Sequence, residues 1–174
     1  MKTLIPAAIR CSLMFTGVAA LSLAYPASVQ AVPTTYEYTG NTFTQVSGPY
    51  TTSDFVTALV RLAAPLAPNM PLTFVTPTAF TFSDGAQTIT NLTADSSSFV
   101  FQTNGTGEVT MWAVNVHSPP SDFANAIGTF NTLNRPADEA VLGIVGFASN
   151  IDAPGTWTRA SVHPSCLYSH NLAI

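Results

Sequence analysis

Residues 78–117 read TAFTFSDGAQTITNLTADSSSFVFQTNGTGEVTMWAVNVH, and this stretch decides the fold. In Thr78–Ser83, Phe80 and Phe82 fall on one face and Thr81 and Ser83 on the other. Alternation with period two marks a half-buried strand. Asp84-Gly85 follows, a pair suited to a type I′ hairpin turn. Gln87–Leu92 resumes strand chemistry with β-branched residues, which pack well on a pleated surface. The polar linker Thr93–Ser97 leads to a strand at Ser98–Thr103, and Asn104-Gly-Thr-Gly107 signals a second hairpin. Glu108–His117 is the longest strand expected. Trp112, Val114 and Val116 share one of its faces and Val109, Met111 and Ala113 the other, which predicts a central strand.

Working outward toward the N-terminus, Thr34–Tyr38 and Thr42–Val46 are expected as short strands with a turn at Gly40-Asn41. Asp54–Ala63 carries both helical spacing (Phe55, Leu59, Leu62) and strand chemistry (Val56, Thr57, Val60), and is read as strand. Pro65, Pro68 and Pro71 impose an extended connection to a short edge segment at Leu72–Val75. Toward the C-terminus, Ser118–Ser121 ends the long strand and Phe123–Leu133 is weakly patterned. Arg135–Glu139 reads as a loop and Ala140–Ala148 as one buried strand. Ser149–Gly155 reads as a turn, and Gly155–Thr158 closes the sheet. Eight to ten short strands separated by turns predict an all-β fold, an antiparallel two-sheet β-sandwich of jelly-roll-like type.

The chain of 174 residues suits one domain and is only 8% charged, far below the roughly 25% of an average globular protein. Residues 1–31 have the pattern of a secretory signal peptide. Lys2 and Arg10 supply the basic start, Cys11–Ala24 the apolar core, and Val29-Gln-Ala31 the cleavage site. The expected organisation is a leader at 1–31, a sandwich domain at 32–158 and an unstructured tail at 159–174. The apolar core is shorter than the ~20 residues of a membrane span, so no stable membrane anchor is expected after cleavage. Beyond the leader, Arg61, Arg135 and Arg159 stand against nine acids, a net charge of −6 with no lysine. Such a chain makes no cationic stripe for phosphates, so nucleic acid is not an expected partner. Cys166 is the single cysteine outside the leader, which leaves no internal disulfide.

Several segments together resemble bacterial PEP-CTERM sorting-domain proteins. They are Phe43-Thr-Gln-Val-Ser-Gly-Pro-Tyr-Thr-Thr-Ser-Asp-Phe55, Leu72-Thr-Phe-Val-Thr-Pro77, Phe80–Thr90, the Phe99-Val-Phe101 hairpin with its Gly-rich turn and Trp112, and Gly155-Thr-Trp157. The resemblance covers roughly 35–157. It implies an exported protein of the cell surface or extracellular matrix and carries no catalytic residues. Members of that family end in a Pro-Glu-Pro signal, a transmembrane helix and a basic cluster, whereas this chain ends Arg159–Ile174 without them. The expectation is a member that has lost its anchor and is released.

His163, Cys166 and His170 give three of the four ligands zinc needs, and no second cluster offers a fourth. His117 is the sole histidine inside the expected domain, beside Pro119, and is read as a surface residue; no Gly-x-Ser-x-Gly elbow accompanies it. Asp84, Asp95, Asp122 and Asp152 lie in turns, and Asp84 and Asp152 suit turn chemistry. Asp138-Glu139, if on a strand, face opposite ways. Loop carboxylates and Asn104 offer oxygen ligands of the type calcium prefers, without an EF-hand or nonapeptide repeat. Trp112 alternates with Val114 and Val116 and is expected in the core, while Trp157 and several tyrosines remain candidates for an aromatic platform. The function expected is therefore non-enzymatic, with no catalytic, cofactor-binding or metal site assigned and no cofactor. The location expected is secreted, extracellular or periplasmic, with extracellular polysaccharide as the alternative partner.

Overall fold

Period-two alternation becomes twelve strands in the computed structural model, which describes residues 31–120 and 124–160. In chain order the strands are β1 (Thr34–Thr39), β2 (Gln45–Ser47), β3 (Thr57–Leu62), β4 (Thr73–Phe74), β5 (Ala79–Ser83) and β6 (Thr88–Thr90). They continue with β7 (Ser96–Thr103), β8 (Val109–His117), β9 (Asn125–Thr132), β10 (Arg135–Leu142), β11 (Gly146–Ile151) and β12 (Thr156–Arg159). No helix occurs among the described residues. One sheet has the order β12-β1-β3-β5-β6 and the other β2-β11-β10-β9-β8-β7-β4, with every pairing antiparallel. The two sheets pack as a β-sandwich, the expected fold class. Strands β7 to β11 form a meander of consecutive neighbours in the larger sheet. All four edge strands, β2, β4, β6 and β12, are four residues long or shorter.

The inner faces follow the alternation closely. The five-stranded sheet turns in Tyr36, Tyr38, Ala58, Val60, Phe80, Phe82, Ile89 and Trp157. The seven-stranded sheet answers with Phe99, Phe101, Trp112, Val114, Val116, Ile127, Ala140 and Ala148. Aromatic rings tie the layers together. Phe101 meets Trp157 edge-on at 5.2 Å, Tyr38 meets Trp112 at 5.9 Å, and Phe80 meets Phe99 at 5.1 Å. Such pairs add ~0.5–1.5 kcal/mol each beyond the area they bury.

Several local expectations are corrected. Asp84-Gly85 does not form a two-residue I′ turn. Ser83 pairs with Thr88, so the loop is four residues long, and only Gly85 has a positive φ (96°). Strand β8 is interior, but the middle of its sheet is β9, in the segment that looked weakly patterned. Arg135–Glu139 is strand, not loop, because it pairs in full with Gly128–Thr132. The stretch Ala140–Ala148 is not one buried strand: it folds back as a hairpin whose tip, Ile144 and Val145, is 100% and 69% exposed. Ser149–Ile151 belongs to β11 rather than to a turn, and β12 runs through Arg159. Of the leader expected at 1–31, residues 1–30 lie outside the described residues, as do Asp122 and the tail residues His163, Cys166 and His170.

Candidate functional site

Three places gather polar chemistry, and the first lies inside the sandwich. Asp138 on β10 points into the core and is fully buried, while Glu139 faces out, as strand geometry requires. Asp138 belongs to an inner cross-strand row with Val114, Thr129 and Asn150. The Tyr38 hydroxyl donates to its Oδ1 at 2.5 Å and in turn accepts the Gly155 amide at 2.6 Å. Trp112 Nε1 donates to the neighbouring Thr129 hydroxyl at 2.9 Å. Asp138 Oδ2 is buried and makes no hydrogen bond of good geometry among the described residues, although the Thr129 hydroxyl and the Asn41 amide lie close enough to act on the carboxyl. Burial pushes the Asp138 carboxyl up to about 6, against the opposing pull of the Tyr38 and Thr129 hydroxyls and the Gly155 and Asn41 amides. Burial and the adjacent carboxylate raise the Tyr38 phenol as well. Two glycines let the backbone close over this cluster. A Cβ at Gly40 would stand 2.7 Å from Asp138 Oδ2, and one at Gly155 would fall inside the Thr39 carbonyl oxygen.

A second buried knot joins the sheets. Asp84 Oδ1 accepts the Ala86 and Gln87 amides at 2.9 and 2.8 Å, the turn chemistry expected of it. Its Oδ2 accepts the Tyr50 hydroxyl and the Gln87 side chain, both at 2.8 Å. Gln87 Nε2 also reaches the Val141 carbonyl of β10 at 2.8 Å, crossing to the other sheet. Both buried acids are therefore engaged in holding the fold together.

The second place is a hollow of about 200 Å³ on the outer face of the larger sheet, lined by Asn115, His117, Gly128, Phe130, Arg135, Glu139 and Val141 among others. His117 is buried here, not on the surface as expected, and its Nε2 lies 2.7 Å from the Asn115 amide. Gly128 forms the floor because a Cβ there would stand 2.6 Å from the Phe130 ring. Arg135 sits 4.8 Å from the Phe130 centroid and pairs with Glu139, which raises the Arg135 pKa through their hydrogen bond. Among the described residues, the lining of this hollow carries an imidazole, a guanidinium and a carboxylate but no hydroxyl or thiol side chain.

The third place is a larger cleft of about 480 Å³ at one end of the sandwich. It is lined by Tyr36 of β1, Leu66 of the proline-rich connection, Thr106 to Glu108 of the β7–β8 turn, Val109 at the start of β8, and Trp157 to Arg159 of β12. The Tyr36 hydroxyl accepts the Leu66 amide at 2.9 Å, which pins that connection to the cleft wall. Asn104 organises the turn: its Oδ1 accepts the Thr106 and Glu108 amides, each at 3.0 Å. Asn104 Nδ2 and the Thr106 hydroxyl donate to Glu108 Oε2 at 2.8 and 3.0 Å, holding the Glu108 carboxyl below its ordinary pKa. Asn104 is thus turn scaffolding in this structure, and no group of three metal-ligating side chains occurs among the described residues.

Trp112 lies in the core, as its alternation indicated, and Trp157 lies there too, at 6% exposed. Tyr36, Tyr38 and Tyr50 are likewise buried, so the described tryptophans and tyrosines make no flat surface platform. The cleft was missed in the sequence because its walls come from four separate segments that alternation does not bring together. No protein-family model matches the chain, and neither a curated protein nor a solved structure shows significant similarity to it.

Proposed function

We propose that this chain is a non-enzymatic exported protein of the cell surface or extracellular matrix. One observation carries the reading. On the outer face of the five-stranded sheet, Thr156, Thr39, Thr57, Ser83 and Thr88 are direct cross-strand partners, a row of hydroxyls across all five strands. The row beside it, Thr158, Glu37, Leu59, Thr81 and Thr90, holds one charge. Hydroxyls stay hydrated without counterions, so such a face is insensitive to the ionic strength that screens charged surfaces, a useful property outside the cell. The leader-like segment and the low overall charge support the same reading. So does the use of Asp84 and Asp138 as buried structural acids.

The test is expression of the full chain in a Gram-negative host, fractionation, and sequencing of the protein's N-terminus. The expected product starts at Val32 and is found outside the cytoplasm. Full-length chain retained in the cytoplasm overturns the reading. A second reading, binding of an extracellular polysaccharide, is favoured by the end cleft.

A further inference from the structure

We propose that the end cleft binds a sugar unit of a neutral polysaccharide. The proposal deepens the polysaccharide reading above and rests on it for the class of ligand. The volume of about 480 Å³ falls within the roughly 300–1,000 Å³ of small-molecule sites. The lining joins two chemistries that a sugar ring requires together. Tyr36, Leu66, Val109 and Trp157 supply an apolar wall for the ring's carbon–hydrogen face. Thr106, Glu108, Thr158 and Arg159 supply donors and acceptors for its hydroxyls. Glu108 is preorganised: both of its side-chain bonds go to Oε2, and neither goes to Oε1. Arg159 and Glu108 line the same cleft, yet the sole ion pair among the described residues is Arg135 with Glu139. One guanidinium and one carboxylate balance to zero, so the cleft matches an uncharged ligand whose hydroxyls both donate and accept. The site also differs from a flat aromatic platform, because its tryptophan and tyrosine are largely buried between the sheets and only a small part of each lines the cleft.

The full chain is titrated calorimetrically with cello-, xylo-, malto- and mannohexaose, and with tetragalacturonate as a charged comparison. Saturable binding of at least one neutral hexaose is expected. Glu108→Gln and Arg159→Ala alter exposed side chains and should each weaken that binding by about 10-fold or more, with melting temperatures unchanged. Glu139→Gln, in the separate outer-face hollow, should leave it intact. The assignment is overturned if no neutral hexaose binds, if tetragalacturonate alone binds, or if binding survives both cleft substitutions. Loss of the cleft assignment in this way leaves the export reading standing, since fractionation tests that separately.

Discussion

Burying a carboxyl in an apolar sandwich makes stability depend on pH in a direction opposite to that of most acids. Asp138 has a folded-state pKa of about 6 against an ordinary 3.8, raised chiefly by burial. Between pH ~4 and ~6 the native state therefore holds the proton more tightly than the unfolded chain does. The stabilisation is fully present below about pH 4 and is lost as pH rises toward 6, after which the curve levels. A shift of about 2 units corresponds to ~3 kcal/mol. In a domain of this size that is a fall in melting temperature of about 10 °C. The assay is a series of thermal melts from pH 4 to 8 on the native chain and on Asp138→Asn, which cannot titrate. The native chain should lose melting temperature relative to the variant between pH 4 and 6.5. Parallel curves for the two proteins would refute the assignment of the slope to Asp138. A native curve that rises relative to the variant's across the window would refute the raised pKa itself.

Tyr38→Phe removes the hydroxyl that links Asp138 to the Gly155 amide and leaves both without that partner, so urea unfolding should show a loss of about 2–4 kcal/mol. Gly155→Ala would drive a methyl group into the Thr39 carbonyl and the Gly40 Cα, and a loss of more than about 3 kcal/mol in the same assay is expected. Ile144→Ser, at the bare tip of the β10–β11 hairpin, should change stability by less than about 0.5 kcal/mol. A large loss there would instead support a continuous buried strand across that tip.

The strands legible in the sequence were those whose inner face is uniformly apolar. Phe80 with Phe82, Phe99 with Phe101, and Trp112 with Val114 and Val116 all alternate cleanly and all point inward. Strands β9 and β10 were hidden because their inner positions include Thr129 and Asp138, polar residues that bond to Trp112 and Tyr38 on other strands. Alternation is a statement about water, and a hydroxyl or carboxyl bonded within the core breaks the pattern without breaking the strand. The turn at Gly143–Val145 was hidden for the converse reason. Its tip is apolar, so it prolonged the apolar run although Ile144 faces solvent. Of the candidate site, Trp157 read as a candidate for a surface platform and is buried, Tyr36 alternates with Tyr38 on an inner face, and Glu108 and Arg159 carried no periodic signal. Their proximity arises from the pairing of β1 with β12 and from the packing of the two sheets, which local spacing does not encode.

The brevity of the four margins bears on how this molecule behaves in a crowd. A long, straight margin offers a row of amide and carbonyl groups onto which another chain can zip. Here each margin runs two to four residues, too short a ledge for a foreign strand to gain much purchase. Among the described residues, each margin strand therefore offers another chain few backbone groups through which to extend the sheets.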